Sequence, residues 1–190
     1  MTKKELFQAA ALKLIYEKGF KAMTMRELAT EMSCDIKNLY NYTSSKDALL
    51  VELLEDISEN FHLGMSHIVD ANLTPTQQLK ELIRLHVMLS YEKPKRVGLL
   101  INEYRNLKEP HYSSFLTRRD EYEDQVSTII KRGIEQSEFR SLNVQIATQS
   151  ILGGLRWQYD LYHQNDEQLN PYDVMEELIQ LILPGIIAID

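Results

Sequence analysis

The sequence contains little of what several large protein classes require. Cys34 is the only cysteine among 190 residues, which excludes an internal disulfide framework and a thiolate-rich zinc or iron–sulfur site. No segment approaches the roughly 18 uninterrupted apolar residues of a membrane span, and the first residues do not have the pattern of a signal peptide. These absences predict a cytoplasmic protein without a membrane partner.

Glycine and proline are also scarce, with seven and five residues, and no alternating strand pattern of useful length is present. Apolar residues recur at helical spacing between these breakers, which predicts an all-α fold. Helix starts are marked by Thr24–Glu27, which has the pattern of a capping box, and by Thr74 and Asn170, which precede prolines. About nine helices are predicted, at residues 3–18, 25–32, 36–42, 46–70, 75–92, 95–106, 112–137, 143–164 and 171–188.

The charge is divided unevenly along the chain. A net charge of −7 argues, over the whole chain, against a nucleic-acid partner. Residues 1–50, however, contain eight Lys/Arg and six Asp/Glu, whereas residues 51–190 contain thirteen and twenty-two, giving net charges of +2 and −9. This asymmetry is compatible with a small module that docks on a polyanion and a larger acidic body. We predict two domains, 1–48 and 49–190.

The first module has the pattern of a helix-turn-helix. Two short helices, 25–32 and 36–42, are joined by a turn at Ser33–Asp35, and the second helix of such a pair enters the major groove of DNA. That helix is rich in Asn, Lys and Tyr. Asn can read adenine, Lys can donate to guanine or phosphate, and Tyr can donate to phosphate.

Residues 6–50 resemble the DNA-binding domain of the tetracycline-repressor (TetR) family of bacterial regulators. The motifs that carry the resemblance, in matching order and spacing, are Ala9-Ala10 followed by Leu14, Gly19-Phe20, Met23–Ala29, Asn38-Leu39-Tyr40 and Ser45–Leu50. The resemblance implies an N-terminal three-helix helix-turn-helix domain and a larger helical domain for ligand binding and dimerisation. It further implies a homodimer that reads a palindromic double-stranded DNA operator.

The resemblance also implies which residues contact DNA. In the family, the positions of Tyr40, Tyr42 and Lys46 contact the phosphate backbone. Thr24 adds a phosphate contact, and Arg26 reaches a base or a phosphate. The predicted DNA-binding residues, of which Lys37, Asn38 and Asn41 are expected to read bases, are Thr24, Arg26, Ile36, Lys37, Asn38, Tyr40, Asn41, Tyr42 and Lys46.

Three residues depart from the family pattern. Ser33 replaces the usual turn glycine, so a positive φ there must be relaxed or strained. Asp35 is a favourable N-cap but places an acid beside phosphate. Thr43 replaces the aromatic residue expected after Tyr42, which predicts a loss of core packing in the small domain.

The body ends in two strongly apolar helices. Residues 171–188 are apolar over more than one face, and so is the run that contains Gly153-Gly154. A helix that is apolar nearly all round must be covered on several sides, and in the TetR family the last two helices form the dimer interface. Two adjacent glycines lower helix propensity by roughly 1 kcal/mol each. A close helix contact or a bound ligand would explain them.

The body also resembles, more loosely, TetR-type regulators of fatty-acid, phenylacetate and sterol breakdown, whose ligands are acyl-CoA thioesters. Shared elements are Glu103–Leu107, Arg119–Glu123, Ser137–Arg140 and an apolar helix that ends near Trp157. The resemblance implies a small hydrophobic or acyl-CoA-like effector. A simple ion pair between Arg156 and Glu103 is an equal alternative. The predicted ligand-binding residues are Glu103, Arg105, Tyr122, Arg156, Trp157 and Tyr159.

Two other functions compete with an acyl-CoA-responsive repressor. One is a regulator that responds to lipophilic drugs. The other is an all-helical enzyme of the di-iron or acyl-CoA type, but Glu59 and His62 form the only Glu-x-x-His pair and a di-iron bundle needs two. No phosphate-binding loop or nucleophile elbow is present. We therefore predict no catalytic residue, no metal ligand and no cofactor.

Overall fold

The computed structural model describes residues 2–164 and 169–188, and over these ranges the all-α class is confirmed. Two 3₁₀ turns, Tyr104–Asn106 and Leu183–Gly185, accompany ten α-helices, and a single isolated bridge joins Phe139 to Ile187 in the described ranges. The helices are α1 Lys3–Lys18, α2 Met25–Glu31, α3 Ile36–Leu39, α4 Lys46–Asp70, α5 Pro75–Glu92, α6 Pro94–Glu103, α7 His111–Glu135, α8 Val144–Leu155, α9 Gln158–Gln164 and α10 Pro171–Ile182.

The helix starts follow the capping signals of the sequence. Thr24 and Thr74 both form complete capping boxes, in which the threonine side chain accepts from the amide three residues later and the Glu27 or Gln77 side chain accepts from the cap amide. The Asn170 side chain accepts from the Tyr172 amide at 2.9 Å, ahead of Pro171. These contacts satisfy amides that a helix start would otherwise leave without partners.

Several predicted helices are shorter than expected. The predicted helix 171–188 keeps α geometry only to Ile182 and continues as the 3₁₀ turn Leu183–Gly185. The predicted helix 143–164 is interrupted at Arg156–Trp157, where the Arg156 amide bonds the Gly153 carbonyl and α9 begins anew at Gln158. The glycine pair just before this point weakens the helix. The predicted helix 36–42 keeps α geometry only to Leu39 and continues as turns, because the next amides bond three residues back. Residues 165–168 lie outside the described ranges.

The chain divides into two compact units, and the division falls within α4 and α7. Unit 1 contains residues 1–59 and 95–116, and unit 2 contains residues 60–94 and 117–190. In unit 1, fully buried side chains from all four N-terminal helices form one core together with Leu99 of α6. Those with no exposed surface are Phe7, Ala11, Met23, Leu28, Leu39, Leu49 and Leu53.

Unit 2 is organised around α5. Helices α8, α9 and α10 all pack on it, and its buried positions recur three or four residues apart, as expected for a helix covered on one broad face. Leu79, Leu82, Ile83 and Val87 have no exposed surface. The Ser127 and Thr148 hydroxyls, 3.0 Å apart, link α7 to α8.

The turns of unit 1 need positive φ at two residues. Gly19 ends α1 with φ 81°, and its amide bonds the Ile15 carbonyl at 2.7 Å. Ser33, in the turn after α2, has φ 50°. The left-handed conformation expected at this turn is therefore present without a glycine, and it costs roughly 1–2 kcal/mol for a residue with a Cβ.

We expect Ser33→Gly to stabilise the protein by about 0.5–1 kcal/mol, because glycine adopts φ 50° without strain but adds entropy to the unfolded chain. Urea unfolding followed by circular dichroism measures this change. Ser66 is exposed inside α4, about one turn before its end, so Ser66→Gly is a matched control and should destabilise through lower helix propensity. Destabilisation by both substitutions would contradict the strain at Ser33.

Candidate nucleic-acid interface and interior site

Most of the predicted DNA-binding residues lie exposed on one helix pair. Buried Leu28, Ala29 and Leu39 hold α2 and α3 against the core of unit 1, which turns the polar residues of both helices outward. Tyr40 is 53% exposed and Ile36 is 37% exposed. The exposed members of the predicted set are Thr24, Arg26, Ile36, Lys37, Asn38, Tyr40 and Asn41.

The remaining two predicted residues are half-buried. The Tyr42 ring stacks on Phe7, with ring centroids 5.3 Å apart, so this tyrosine contributes to the core of unit 1. Lys46 lies with its Nζ 4.5 Å above the Phe20 ring and donates to the Lys21 carbonyl at 3.1 Å. Both side chains are therefore held in place by contacts within unit 1.

Thr43 fits the small core better than its sequence position suggested. It is 8% exposed, and its hydroxyl donates to the Ser45 carbonyl at 2.9 Å. The stacked Phe7–Tyr42 pair supplies aromatic packing next to it. The predicted loss of packing is thus offset by a satisfied buried hydroxyl and by Tyr42 itself.

Lysines of α1 neutralise the acids of α2. Lys13 contacts Glu31 and Lys18 contacts Glu27, each at 2.7 Å. The bond from Lys18, followed by bonds from Thr24, lowers the pKa of Glu27 to about 2. The Thr24 hydroxyl already donates to Glu27 at 2.9 Å, so its proton is used within the chain.

Asp35 has a local structural role. Its Oδ1 accepts from the Lys37 amide at 2.8 Å, which caps α3 and fixes the start of the helix that presents Lys37 and Asn38. Asp35 is exposed. A carboxylate that forms no ion pair among the described residues consequently lies beside the predicted recognition residues.

The sequence did not indicate that α6 belongs to unit 1. Arg96 donates at 2.8 Å to both Asp56 of α4 and Gln8 of α1, and Gln8 in turn donates to Glu52 at 2.9 Å. Glu103 accepts from the Phe20 amide at 3.3 Å. These contacts connect α6 with α1 and α4, and no periodicity or motif in the sequence identifies them.

The six predicted ligand-binding residues are divided between the units. Glu103 and Arg105 are in unit 1, where Glu103 also accepts from Asn106 and Arg105 donates to the Tyr104 hydroxyl at 3.1 Å. The other four, Tyr122, Arg156, Trp157 and Tyr159, are in unit 2.

Within unit 2, Glu123 is the centre of a charged cluster. Its Oε1 lies 3.5 Å from Arg156 and 3.9 Å from Arg119, and its Oε2 accepts from Gln149 at 2.7 Å. The carboxylate partner of Arg156 is therefore Glu123 and not Glu103. The Arg156 side chain is 51% exposed, so it is not embedded among apolar groups in the single chain. Arg119 also contacts Asp120 Oδ1 at 3.3 Å, so two guanidiniums and two carboxylates leave this cluster without a net charge.

Tyr122 belongs to a group of packed rings beside that cluster. Its hydroxyl lies 2.9 Å from His86 Nε2, and Phe61 packs against both rings, with centroids 4.9 Å from His86 and 6.3 Å from Tyr122. Loss of hydration, and then the Arg156 charge, lower the pKa of His86 to about 3, whereas burial raises the pKa of Tyr122. The imidazole and the phenol are consequently uncharged at neutral pH.

The exposed apolar side chains of unit 2 include several on α8, α10 and the chain beside them. Ile146 is 66% exposed, Leu181 73% and Trp157 48%, whereas Tyr159 is buried. A Cβ added at Gly153 or Gly154 would meet no atom within 4 Å. No close contact among the described residues accounts for the glycine pair.

A separate groove lies between α4 and α5. It has a volume of about 380 Å³ and is lined mainly by apolar side chains, with Arg84 at its edge. It includes none of the predicted ligand-binding residues.

In the part of the chain that the structure describes, no three His, Cys, Asp or Glu side chains are grouped so that they could hold a metal ion. No helix among the described residues is long and apolar enough to cross a membrane.

Over the described residues the chain is all-helical, with an exposed recognition helix in unit 1 and packed aromatic rings inside unit 2. This combination is typical of helix-turn-helix regulators. A family model described as bacterial regulatory proteins of the tetR family matches residues 3–53. A second, described as a tetracyclin repressor-like C-terminal domain, matches residues 72–186. The protein belongs to the TetR family of bacterial transcriptional regulators, which is a family of regulators and not of enzymes.

Individual relatives agree with this assignment over nearly their whole length. The HTH-type transcriptional regulator YvaF of Bacillus subtilis is 27% identical over 95% of this chain and 93% of its own. The structure of the ketosteroid transcriptional regulator KstR2 of Mycobacterium tuberculosis superposes with a TM-score of 0.93 at 21% identity, covering 99% and 96%. AibR, solved in complex with isovaleryl coenzyme A and operator DNA, gives a TM-score of 0.83 at 19% identity, covering 96% and 99%.

Proposed function

We propose that the protein is a homodimeric repressor that binds a palindromic operator through unit 1 and leaves it when an acyl-CoA binds in unit 2. The observation that carries the effector class is the Glu123 cluster, where Arg119 and Arg156 share one carboxylate beside buried rings. An anionic ligand part can pair with Arg156, whose guanidinium is 51% exposed and lies 3.5 Å from Glu123, while an acyl chain packs on apolar surface. The AibR complex with isovaleryl coenzyme A supports this class.

The DNA-binding part of the proposal rests on the exposed residues of α2 and α3. Lys37, Asn38 and Asn41 are free of the core and suited to base edges, and Tyr40 is suited to a phosphate. Residues 1–48 would form the DNA-binding domain and residues 49–190 the effector and dimerisation domain. The acidic excess of residues 51–190 would keep the body away from the phosphate backbone.

The dimer part of the proposal rests on the outward side of α8 and α10. Ile146 and Leu181 expose apolar surface that a second copy would cover, and Gly153-Gly154 would let two helix backbones approach closely. The effector then acts only through its different affinities for the DNA-binding and the released conformation.

Fluorescence anisotropy with labelled DNA from upstream of the protein's own gene tests the effector class. We expect isovaleryl-CoA or dodecanoyl-CoA to release the DNA at micromolar concentration and the corresponding free acids not to do so. Arg156→Gln should weaken this response by about 10-fold, because one charge-assisted contact is lost.

Arg84→Gln is the matched control, since Arg84 is an exposed arginine that lines the groove between α4 and α5. A loss of response in Arg84→Gln alone would move the effector to that groove. Equal release of the DNA by the free acids and by the thioesters would show that the CoA part is not needed, and the role proposed for the arginines would be wrong. Release by tetraphenylphosphonium, a lipophilic cation, without release by acyl-CoA would favour the drug-responsive alternative.

A further inference from the structure

The side-chain amide of Gln158 is fully buried and unsatisfied. Gln158 has an exposed fraction of 0%, and neither Oε1 nor Nε2 has a hydrogen-bond partner among the described residues. Buried polar side chains are normally paired, so an unpaired amide calls for a specific explanation. Over residues 2–164 and 169–188, every buried unpartnered side-chain polar atom is in unit 2, on Arg119, Gln125, Gln158 or Tyr162.

Gln158 shares a helix face with Tyr162, because four residues make about one turn. The Tyr162 hydroxyl is also buried without a partner, and its ring packs edge-to-face on Tyr91 of α5 at 5.3 Å. Arg156, on the other side of Gln158 along the chain, is close enough to His86 of α5 to influence its titration. Tyr162 therefore places the buried face of α9, which includes Gln158, against the stretch of α5 that ends at Tyr91.

The groups along this stretch are uncharged. Gln158 offers an amide N–H and a carbonyl, Tyr162 offers a phenol, and His86 is a neutral imidazole already bonded to Tyr122. The charged groups of the same unit are more exposed, since the side chains of Arg119 and Arg156 are 40% and 51% exposed and both face Glu123. A carboxylate next to Gln158 would lack a cation, whereas a neutral carbonyl oxygen could accept from the amide and the phenol.

We propose that Gln158, with the Tyr162 hydroxyl, binds the thioester carbonyl oxygen of the effector and so determines specificity for acyl groups. The inference rests on the proposed function, in which the effector is an acyl-CoA whose anionic part meets the Glu123 cluster. Gln158 is then a specificity-determining residue that remains unpaired until the effector binds.

Isothermal titration calorimetry on the full-length protein tests the inference without DNA. Isovaleryl-CoA and dodecanoyl-CoA are both titrated, and the one that binds more tightly is then compared with its S-alkyl analogue. The analogues are S-(3-methylbutyl)-CoA and S-dodecyl-CoA, each of which lacks only the carbonyl oxygen. We expect the wild-type protein to prefer the thioester by about 10-fold or more. In Gln158→Leu the two ligands should bind within about 2-fold of each other.

The melting temperature of the free protein gives a second measurement. Gln158→Leu should raise it, because leucine fills the buried position without an unpaired amide. Gln136→Leu, at an exposed position after α7, should change neither the preference nor the melting temperature.

The possible outcomes separate the two proposals. Wild-type binding of the thioester with an unchanged preference in Gln158→Leu would overturn the role of Gln158 and leave the proposed effector class intact. A lower melting temperature in Gln158→Leu would likewise overturn it, since the amide would then stabilise the free fold. If neither acyl-CoA binds the wild-type protein, both the effector class and the inference drawn from it are wrong.

Discussion

Leu181→Glu should convert the protein to a monomer and weaken operator binding at least about 100-fold. Leu181 is the most exposed of the large apolar side chains in the described ranges, at 73%, and it lies on α10. A glutamate covered by a second copy would have to lose its hydration without a partner. A monomer would make only one set of phosphate and base contacts, so it would lose the gain from two half-sites.

Sedimentation velocity and anisotropy titration measure these two effects on the same preparations. Leu63→Glu is the matched control, because Leu63 is 52% exposed on α4 and lies outside the proposed interface. This control should remain a dimer and bind the operator like the wild-type protein. A wild-type monomer, or a Leu181→Glu variant that stays dimeric at micromolar concentration, would contradict the proposed interface.

Lys37→Ala combined with Tyr40→Phe should lower operator affinity by about 100-fold, with about 10-fold from each change. Both side chains are exposed on the recognition segment of unit 1, and the Asp35 cap fixes the start of the helix that carries Lys37. The two substitutions differ in their salt dependence. Loss of the Lys37 cation, which displaces counterions from the DNA, should reduce the magnitude of the slope of log K against log[salt] by up to about 0.9, whereas loss of the neutral Tyr40 hydroxyl should leave it unchanged.

Asn38→Ala distinguishes base reading from phosphate binding. Because an asparagine that reads adenine carries sequence information, its loss should weaken binding to the operator and leave binding to unrelated DNA unchanged. Lys80→Ala, at an exposed lysine of α5 in unit 2, controls for net charge. If Lys80→Ala and Lys37→Ala had equal effects on affinity and salt slope, the predicted DNA surface would be wrong.

The helix starts were predictable because their cause is local. The Thr24 and Thr74 side chains bond amides three residues away, and proline at the first helical position fits without an amide partner. The positive φ at Ser33 was anticipated only through the family resemblance, since the family pattern has a glycine at this turn. The helix starts depend on contacts within about four residues.

The break between α8 and α9 was not predictable in this way. Nothing at Arg156–Trp157 is a helix breaker, and the glycine pair before it has low helix propensity but is tolerated within α8. The break allows Tyr162 to pack on Tyr91 and places Arg156 beside Glu123, both of which are long-range contacts. The alternative of an Arg156–Glu103 ion pair was wrong for the same reason, because residue type alone does not identify Glu123 as the partner.

The sequence by itself determined the all-α class, the helix-turn-helix and the family, because helical periodicity, capping and a short spaced motif are local properties of the chain. The tertiary structure alone decided that Arg96 ties α6 to α1 and α4, that Glu123 gathers Arg119 and Arg156, and that Gln158 is buried without a partner. The contacts of Arg96 and of Arg156 join residues tens of positions apart, and packing selects such partners from many chemically equivalent ones.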